Sequence, residues 1–409
     1  MARSKRFTAA CFSAAPSRWR LGKGVGRTWG PPSIASMGFP FYIWPRTLAQ
    51  QRACTSIISQ RLNMDKPVTL GFVGCGNMGQ MAHIANYAEI PGIRLKAIVD
   101  IKQEQARKVA ARHGIEQVYG SVEELAADPE IDGVACIMFW GLQEEPAIQL
   151  LRAGKHVIVE KPLAGNAAAG GRMVEAARQA GKHLVCGYMK CHDAGIQWAR
   201  QRIQERGKIN QANLFFAGGD WWANLGKPIT TKEEAPQGWG TSHWMPPGLS
   251  PAQEQAFSFF INIYSHHLGV FRFLLGHELK LEAILPQGPN ETVLFSAGET
   301  QVVLMRTRMA CDWWEEKVRV VFDDGYVDVA PPPPMARNLS AKVEDYRKGT
   351  DGQVSTLTAG LAGWNWAFKR QAEHFVQVCA GQAEPLVPGE HARRDLVLME
   401  EMARAYPAG

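Results

Sequence analysis

Val68-Thr69-Leu70-Gly71-Phe72-Val73-Gly74-Cys75-Gly76-Asn77-Met78-Gly79 is a short apolar run that ends in glycines spaced G-x-G-x-x-G. The run is bounded too tightly for a helix and reads as a buried strand. The first glycine allows a tight turn, the second a close approach of backbone to a ligand, and the third close packing of the following helix. A helical stretch runs on to about Glu89, and Leu95–Val99 is a second apolar run ending at Asp100. Strand, glycine turn, helix, strand and a terminal acid about twenty residues on make up the dinucleotide-binding βαβ pattern. Gly74, Cys75, Gly76, Asn77, Met78 and Gly79 would therefore face a pyrophosphate, whose charge suits a helix N-terminus. Asp100 would accept the ribose hydroxyls and repel a 2′-phosphate, which selects NAD rather than NADP.

Outward from this unit, strands and helices alternate. A charged helix spans Lys102–His113, a short strand Gln117–Tyr119, and a helix Ser121–Ala127 opens with the Ser-x-x-Glu capping spacing. Strands at Gly133–Met138, His156–Val159 and His183–Cys186 are separated by helices Glu145–Ala153 and Ala167–Ala180. Such alternation implies crossover connections and a parallel sheet, so 65–187 is expected to be an α/β Rossmann domain, doubly wound. Residues 188–409 change character. After a helix near Ile196–Glu205 come β-rich runs at Ala212–Ala217, Lys280–Leu285, Thr292–Phe295, Thr300–Met305, Lys317–Val321 and Gly325–Val329. A helix over Ser258–Leu275 interrupts them, and helices Trp364–Cys379 and Ala392–Ala405 close the chain. This predicts an α+β domain with a mostly antiparallel open sheet, serving substrate binding and oligomerisation.

Residues 1–64 read differently. They hold ten of the 45 Lys/Arg residues and no acid, with Pro-rich stretches and no sustained periodicity. The expectation is a disordered extension, transit-peptide-like in composition, or a start that truly lies at Met64, directly before the first strand. The remaining 35 basic residues face 39 acidic ones, a balance that offers no footing for nucleic acid or a membrane surface. No apolar run is long enough to span a bilayer, and the eight cysteines show no metal-ligand spacing, so reduced thiols in the cytoplasm and no metal are expected.

A second motif is Gly154-Lys155-His156-Val157-Ile158-Val159-Glu160-Lys161-Pro162-Leu163-Ala164. Together with the glycine turn it resembles the glucose–fructose oxidoreductase / inositol dehydrogenase (Gfo/Idh/MocA) family, from Val68 to the C-terminus. The resemblance implies that Glu160 and Lys161 adjoin the cofactor, with Lys161 beside the nicotinamide and the reacting hydroxyl. An ammonium there stabilises a developing alkoxide, and burial lowers its pKa toward working pH. The family's Asp-x-x-x-His element maps to Asn262 and His266, four apart on one helical face. His266 is thus the implied acid/base, with Asn262 orienting it without supplying charge. His267 is either a polar reader of substrate or a packed core residue, and Tyr264 joins the substrate candidates.

Phe139-Trp140 replaces the family's usual Thr-Pro and either walls the nicotinamide pocket or packs; Gln143 stands where a histidine is common. Lys190 and His192 are further neighbours by position. Trp221, Trp222, Trp239 and Trp244 lie in one long segment and either offer flat faces to a sugar ring or pin a loop. The function expected is hydride transfer between NAD and a secondary alcohol of a sugar, cyclitol or glycoside, in a homo-oligomer (dimer or tetramer). The alternatives are a redox-assisted glycosidase or epimerase with bound NAD, and a non-catalytic dinucleotide-binding sensor.

Overall fold

The computed structural model describes residues 66–219, 226–235, 244–311, 313–358 and 366–408. The expectations for 1–64 and for Trp221, Trp222 and Trp239 lie outside these residues.

Six parallel strands form the first sheet: β1 (Val68–Val73), β2 (Ile93–Val99), β3 (Gln117–Tyr119), β4 (Gly133–Cys136), β5 (His156–Glu160) and β6 (Leu184–Gly187). Their order, β3-β2-β1-β4-β5-β6, reverses at β1/β4, the switch point where such sheets bind ligands at the carboxyl ends of their strands. Every residue of β1 is buried, as a strand covered by helices on both faces requires. Local chemistry starts two of the helices where the sequence indicated. Ser121 caps Val122–Ala127 through the Glu124 N–H at 3.3 Å, and Asn166 caps Ala167–Ala180 through the Ala169 N–H at 2.8 Å.

The second sheet has eight strands: β7 (Ile209–Gly218), β8 (Lys280–Gln287), β9 (Asn290–Ala297), β10 (Thr300–Arg308), β11 (Trp314–Phe322), β12 (Gly325–Ala330), β13 (Lys342–Lys348) and β14 (Val354–Thr358). The order is β14-β13-β12-β11-β7-β10-β9-β8, antiparallel except for the β7–β10 pair. Alternate residues of β9 are buried, so one face meets the helices and the other is left open. Asp323-Asp324 forms the tight turn between β11 and β12. β13 and β14 extend the sheet beyond the strands the sequence suggested.

The helix expected from Ser258 starts earlier, at Pro251, because Ser250 and Gln253 make a reciprocal capping box. It runs as Pro251–Phe259, a π-wound turn Phe260–Tyr264, and Ser265–Leu275. Arg272 on this helix donates to the fully buried Asp395 of the last helix, Gly389–Ala405, at 2.9 and 2.5 Å. The end of the chain returns to the first layer. Ala372, Phe375, Val376 and Val378 of helix Ala367–Cys379 share a core with Val68, Leu70 and Phe72 of β1. The Cys186 N–H of β6 donates to the Val387 carbonyl at 3.1 Å. Among the described residues no helix is long and apolar enough to cross a membrane.

Candidate active site

The three glycines of the first turn have three different reasons to be there. Gly74 has φ +89° and a Cβ would lie 2.2 Å from the Ile137 carbonyl oxygen. At Gly79 a Cβ would lie 2.7 Å from the Gly74 carbonyl oxygen, so this glycine lets the helix start against the turn. At Gly76 a Cβ meets nothing within 4 Å. That glycine is needed for something other than the protein's own packing, and the open space beside it suits a pyrophosphate. Asn77 is exposed and Met78 half-buried beside it, while Cys75 is buried and points inward. The helix that follows contains a π-wound turn, Gly79–Ile84, a winding frequent at functional sites.

Asp100 sits at the end of β2. Its carboxylate accepts the Cys75 N–H at 2.7 Å and the Lys102 N–H at 2.8 Å, which locks the glycine turn to the second strand. Each carboxylate oxygen retains lone-pair capacity for a ribose hydroxyl. Turn, open space and acid together fit a dinucleotide.

Lys161 follows β5 directly, across a cis peptide bond to Pro162. Its Nζ donates to the Asn262 carbonyl at 2.8 Å and lies 3.2 Å from Asn262 Oδ1. Burial lowers the Lys161 pKa, against an upward pull from Glu160. Two buried groups hold the segment around it. Gln143 Nε2 faces the carbonyls of Glu160, Pro162 and Leu163 at 3.1, 2.6 and 2.8 Å. Glu160 commits its carboxylate to His83 Nε2 at 2.7 Å and to the Lys161 N–H at 2.9 Å. Glu160 therefore braces Lys161 from behind.

His266 is half-buried, one helical turn past Asn262. Its pKa is held well below the usual imidazole range, first by burial and then by the Lys161 charge. The shift favours the neutral ring, which keeps an acceptor lone pair but is a weaker base than free imidazole. Its Nδ1 has no hydrogen-bond partner, so the structure corrects one expectation: Asn262 orients Lys161 rather than the imidazole. A π turn at 260–264 places the Asn262 carbonyl where a helix interior is locally widened, so this oxygen meets a side-chain donor.

Tyr264, a substrate candidate, lies in the core instead, and so does His267, for which packing was the other reading. Tyr264 is fully buried and its hydroxyl donates to Glu291 of β9, stitching the helix to the sheet. His267 is buried against the Phe216 ring, 4.7 Å between centroids, with Nε2 3.9 Å from Glu316. Lys190 pairs with the same Glu316. The His192 ring lies tilted against His374, 5.2 Å between centroids, and the Arg370 side chain donates to its carbonyl at 2.8 Å, on the side of the C-terminal helix.

Phe139, Trp140 and Trp244 form one aromatic cluster with centroids 4.5 to 6.0 Å apart. Trp140 and Trp244 pack, and Gly141 and Gly165 are small because Trp244 lies against both. Phe139 keeps 41% of its surface open at the carboxyl edge of β4. His83 and Gln80 were not legible beforehand, since their partners lie 77 and 149 residues away in the chain.

A Rossmann sheet with a dinucleotide turn, and a half-buried lysine at its carboxyl edge meeting a helix of an open-sheet domain, define an NAD(P)-dependent dehydrogenase acting on CH–OH groups. The family described as "Oxidoreductase family, NAD-binding Rossmann fold" matches residues 68–188. An inositol 2-dehydrogenase of Burkholderia cenocepacia (strain HI2424) is 35% identical, over 67% of this chain and 77% of that protein. A myo-inositol 2-dehydrogenase of Thermotoga maritima is 26% identical over 52% of this chain and 56% of its own length. Among solved structures, an aldose–aldose oxidoreductase of Caulobacter crescentus complexed with glycerol superimposes with TM-score 0.64 at 20% identity, covering 83% of this chain and 97% of that one. A 3-ketoreductase of Actinomadura kijaniata in complex with NADP gives 0.59 at 17% identity, covering 82% and 96%. The chain belongs to the Gfo/Idh/MocA family of oxidoreductases.

Proposed function

We propose that this protein is an NAD-dependent dehydrogenase that oxidises or reforms a secondary alcohol on a cyclitol, sugar or glycoside. The observation that carries the reading is the meeting of the Lys161 ammonium with Asn262, one turn before His266, at the carboxyl edge of the parallel sheet. Bound NAD would supply the hydride acceptor. Gly74, Gly76 and Gly79 would admit its pyrophosphate, and Asp100 would take its ribose hydroxyls. Lys161 would hydrogen-bond the substrate oxygen and steady its negative charge as the carbon is oxidised. His266, neutral and half-buried, would receive the hydroxyl proton.

The substrate class is supported by the names of the relatives, two of them inositol dehydrogenases. The exposed ring of Phe139 offers an apolar surface for the C–H face of a ring polyol. Trp221 and Trp222 remain candidates for the same surface. Leu285 and Met305 are exposed on the open face of the second sheet, the face through which a homo-oligomer would form. The free cysteines suit a reducing compartment such as the cytoplasm.

The test is to incubate the full chain with NAD+ or NADP+ and a panel of cyclitols, free sugars and glycosides, reading nicotinamide absorbance and released aglycone together. Substrate-dependent NADH formation with a cyclitol or sugar is the expected result. Aglycone release without net NADH would replace this reading by the redox-assisted glycosidase. No turnover with cofactor bound would favour a sensor.

A further inference from the structure

Residues 226–235 belong by sequence to the second half of the chain, yet they lie on the dinucleotide site. Ile229 pairs with Gln80 as one strand pairs with another. Its N–H donates to Gln80 Oε1 at 2.8 Å, and its carbonyl accepts from Gln80 Nε2 at 3.0 Å. The same Nε2 reaches the Cys75 carbonyl at 2.7 Å, so this segment is tied to the glycine turn itself. Four residues on, Glu233 caps the helix Gln103–His113. Its two carboxylate oxygens accept the N–H groups of Glu104 at 2.8 Å and Gln105 at 3.0 Å, and the Thr231 hydroxyl at 2.8 Å. Arg107, one turn along, adds positive charge beside it.

A pair of free N–H groups at a helix start, a hydroxyl and an arginine would together make an anion site. Here a carboxylate 129 and 128 residues further along the chain fills it. The location decides its meaning. Asp100 Oδ1 accepts the Lys102 N–H, directly before this helix, so a ribose held by Asp100 lies at the helix mouth. A phosphate on the 2′ oxygen of that ribose would extend toward the N–H groups that Glu233 occupies.

We propose that Glu233 is a specificity-determining residue for the cofactor, holding the anion site that the 2′-phosphate of NADP would need. The inference rests on the reading of Asp100 as the ribose acid. It adds a second carboxylate, supplied by the other half of the chain, and assigns Arg107 to Glu233 rather than to a phosphate.

The test uses the full chain and titrates NAD+ and NADP+ by tryptophan fluorescence. Wild type should bind NAD+ in preference. E233Q should tighten NADP+ about tenfold, the scale of removing one like charge in a half-exposed site, with NAD+ changed less than about threefold. Adding Arg107→Ala to E233Q should cancel the gain. An unchanged NAD+/NADP+ ratio in E233Q with NAD+ still bound overturns the role of Glu233 and leaves the dinucleotide reading standing. A second measurement needs no variant: wild type should bind ADP at least about tenfold better than 2′,5′-ADP, and equal binding overturns the proposal. Failure of wild type to bind either dinucleotide overturns the underlying reading together with this one.

Discussion

The Lys161 ammonium and the main-chain carbonyl of Asn262 meet at 2.8 Å, across the junction between a parallel-sheet edge and a π-wound helical turn. The proposed reacting centre is thereby built from both halves of the chain. Asn262 contributes two oxygens and no formal charge, so the lysine is steadied without being locked in its charged form. Burial is left to lower its pKa.

Asn262→Asp should reverse that balance. A carboxylate beside Nζ favours the ammonium and raises the Lys161 pKa. Turnover that relies on the Lys161 ammonium falls as pH rises through that pKa. This fall should move to higher pH in the variant, as read from kcat/KM profiles. Lys161→Met should lose a factor of about 10²–10⁴ in kcat.

The glycine turn separates fold from binding. Gly76→Ala should leave Tm near wild type, because its Cβ enters open space, and should weaken dinucleotide binding. Gly74→Ala should lower both, since positive φ and a Cβ 2.2 Å from the Ile137 oxygen strain the turn itself. Thermal melts alongside cofactor titration distinguish the two. A large Tm loss in Gly76→Ala would contradict the assignment.

Asp395→Ala should destabilise the protein by about 3–5 kcal/mol, because it leaves the Arg272 guanidinium buried without its main partner. Denaturant melts measure this. Because Arg272 lies on the helix of His266, turnover should fall more steeply with temperature in the variant.

His156 sets part of the acid response. Burial, with Lys182 and His183 nearby, lowers its pKa from 6.5 to about 4, and its Nδ1 accepts the His183 N–H at 3.2 Å. The unfolded chain therefore takes up this proton first as pH falls. Stability should be fully present above about pH 6.5, decline from there to about 4, and lose nothing further from this group below that. His156→Asn keeps an acceptor without a titrating ring, and its Tm should depend less on pH across that window.

Gln143→Ala should act through position alone. Removing the amide that faces three carbonyls around Lys161 frees that segment to shift. The expected result is a fall in kcat of about tenfold or more, with cofactor Kd nearly unchanged. A parallel loss of cofactor binding would argue against a positioning role.

What the sequence made legible follows from physical range. The glycine turn, Asp100 and the strand–helix alternation are local patterns, and they appear within a residue or two of their observed bounds. β13 was missed because Lys342–Lys348 is mostly charged; its inward Asp345 is buried only through Arg202 and Arg206. β14 was missed because Val354–Thr358 is exposed along its whole length and so carries no alternation. Spacing placed Asn262 and His266 on one helical face but could not say which neighbour each would meet. Tyr264 and His267 looked like site residues because they flank His266, yet helix rotation turns them into the sheet. Glu233 and Gln80 carry no local signature at all, since their meaning lies in contacts that only the folded chain makes.

The return of helix Ala367–Cys379 to the core around β1 has a consequence for biosynthesis. The parallel sheet is encoded early, but one wall of its interior is supplied by a segment translated near the end. A ribosome-bound chain that has emerged only as far as β6 holds the strand and the glycine turn without Phe375 and Val376 to cover them. The dinucleotide-binding half should therefore mature late, after the second sheet has been made. Chains cut short before residue 367 should present an apolar surface to chaperones rather than a site to a dinucleotide.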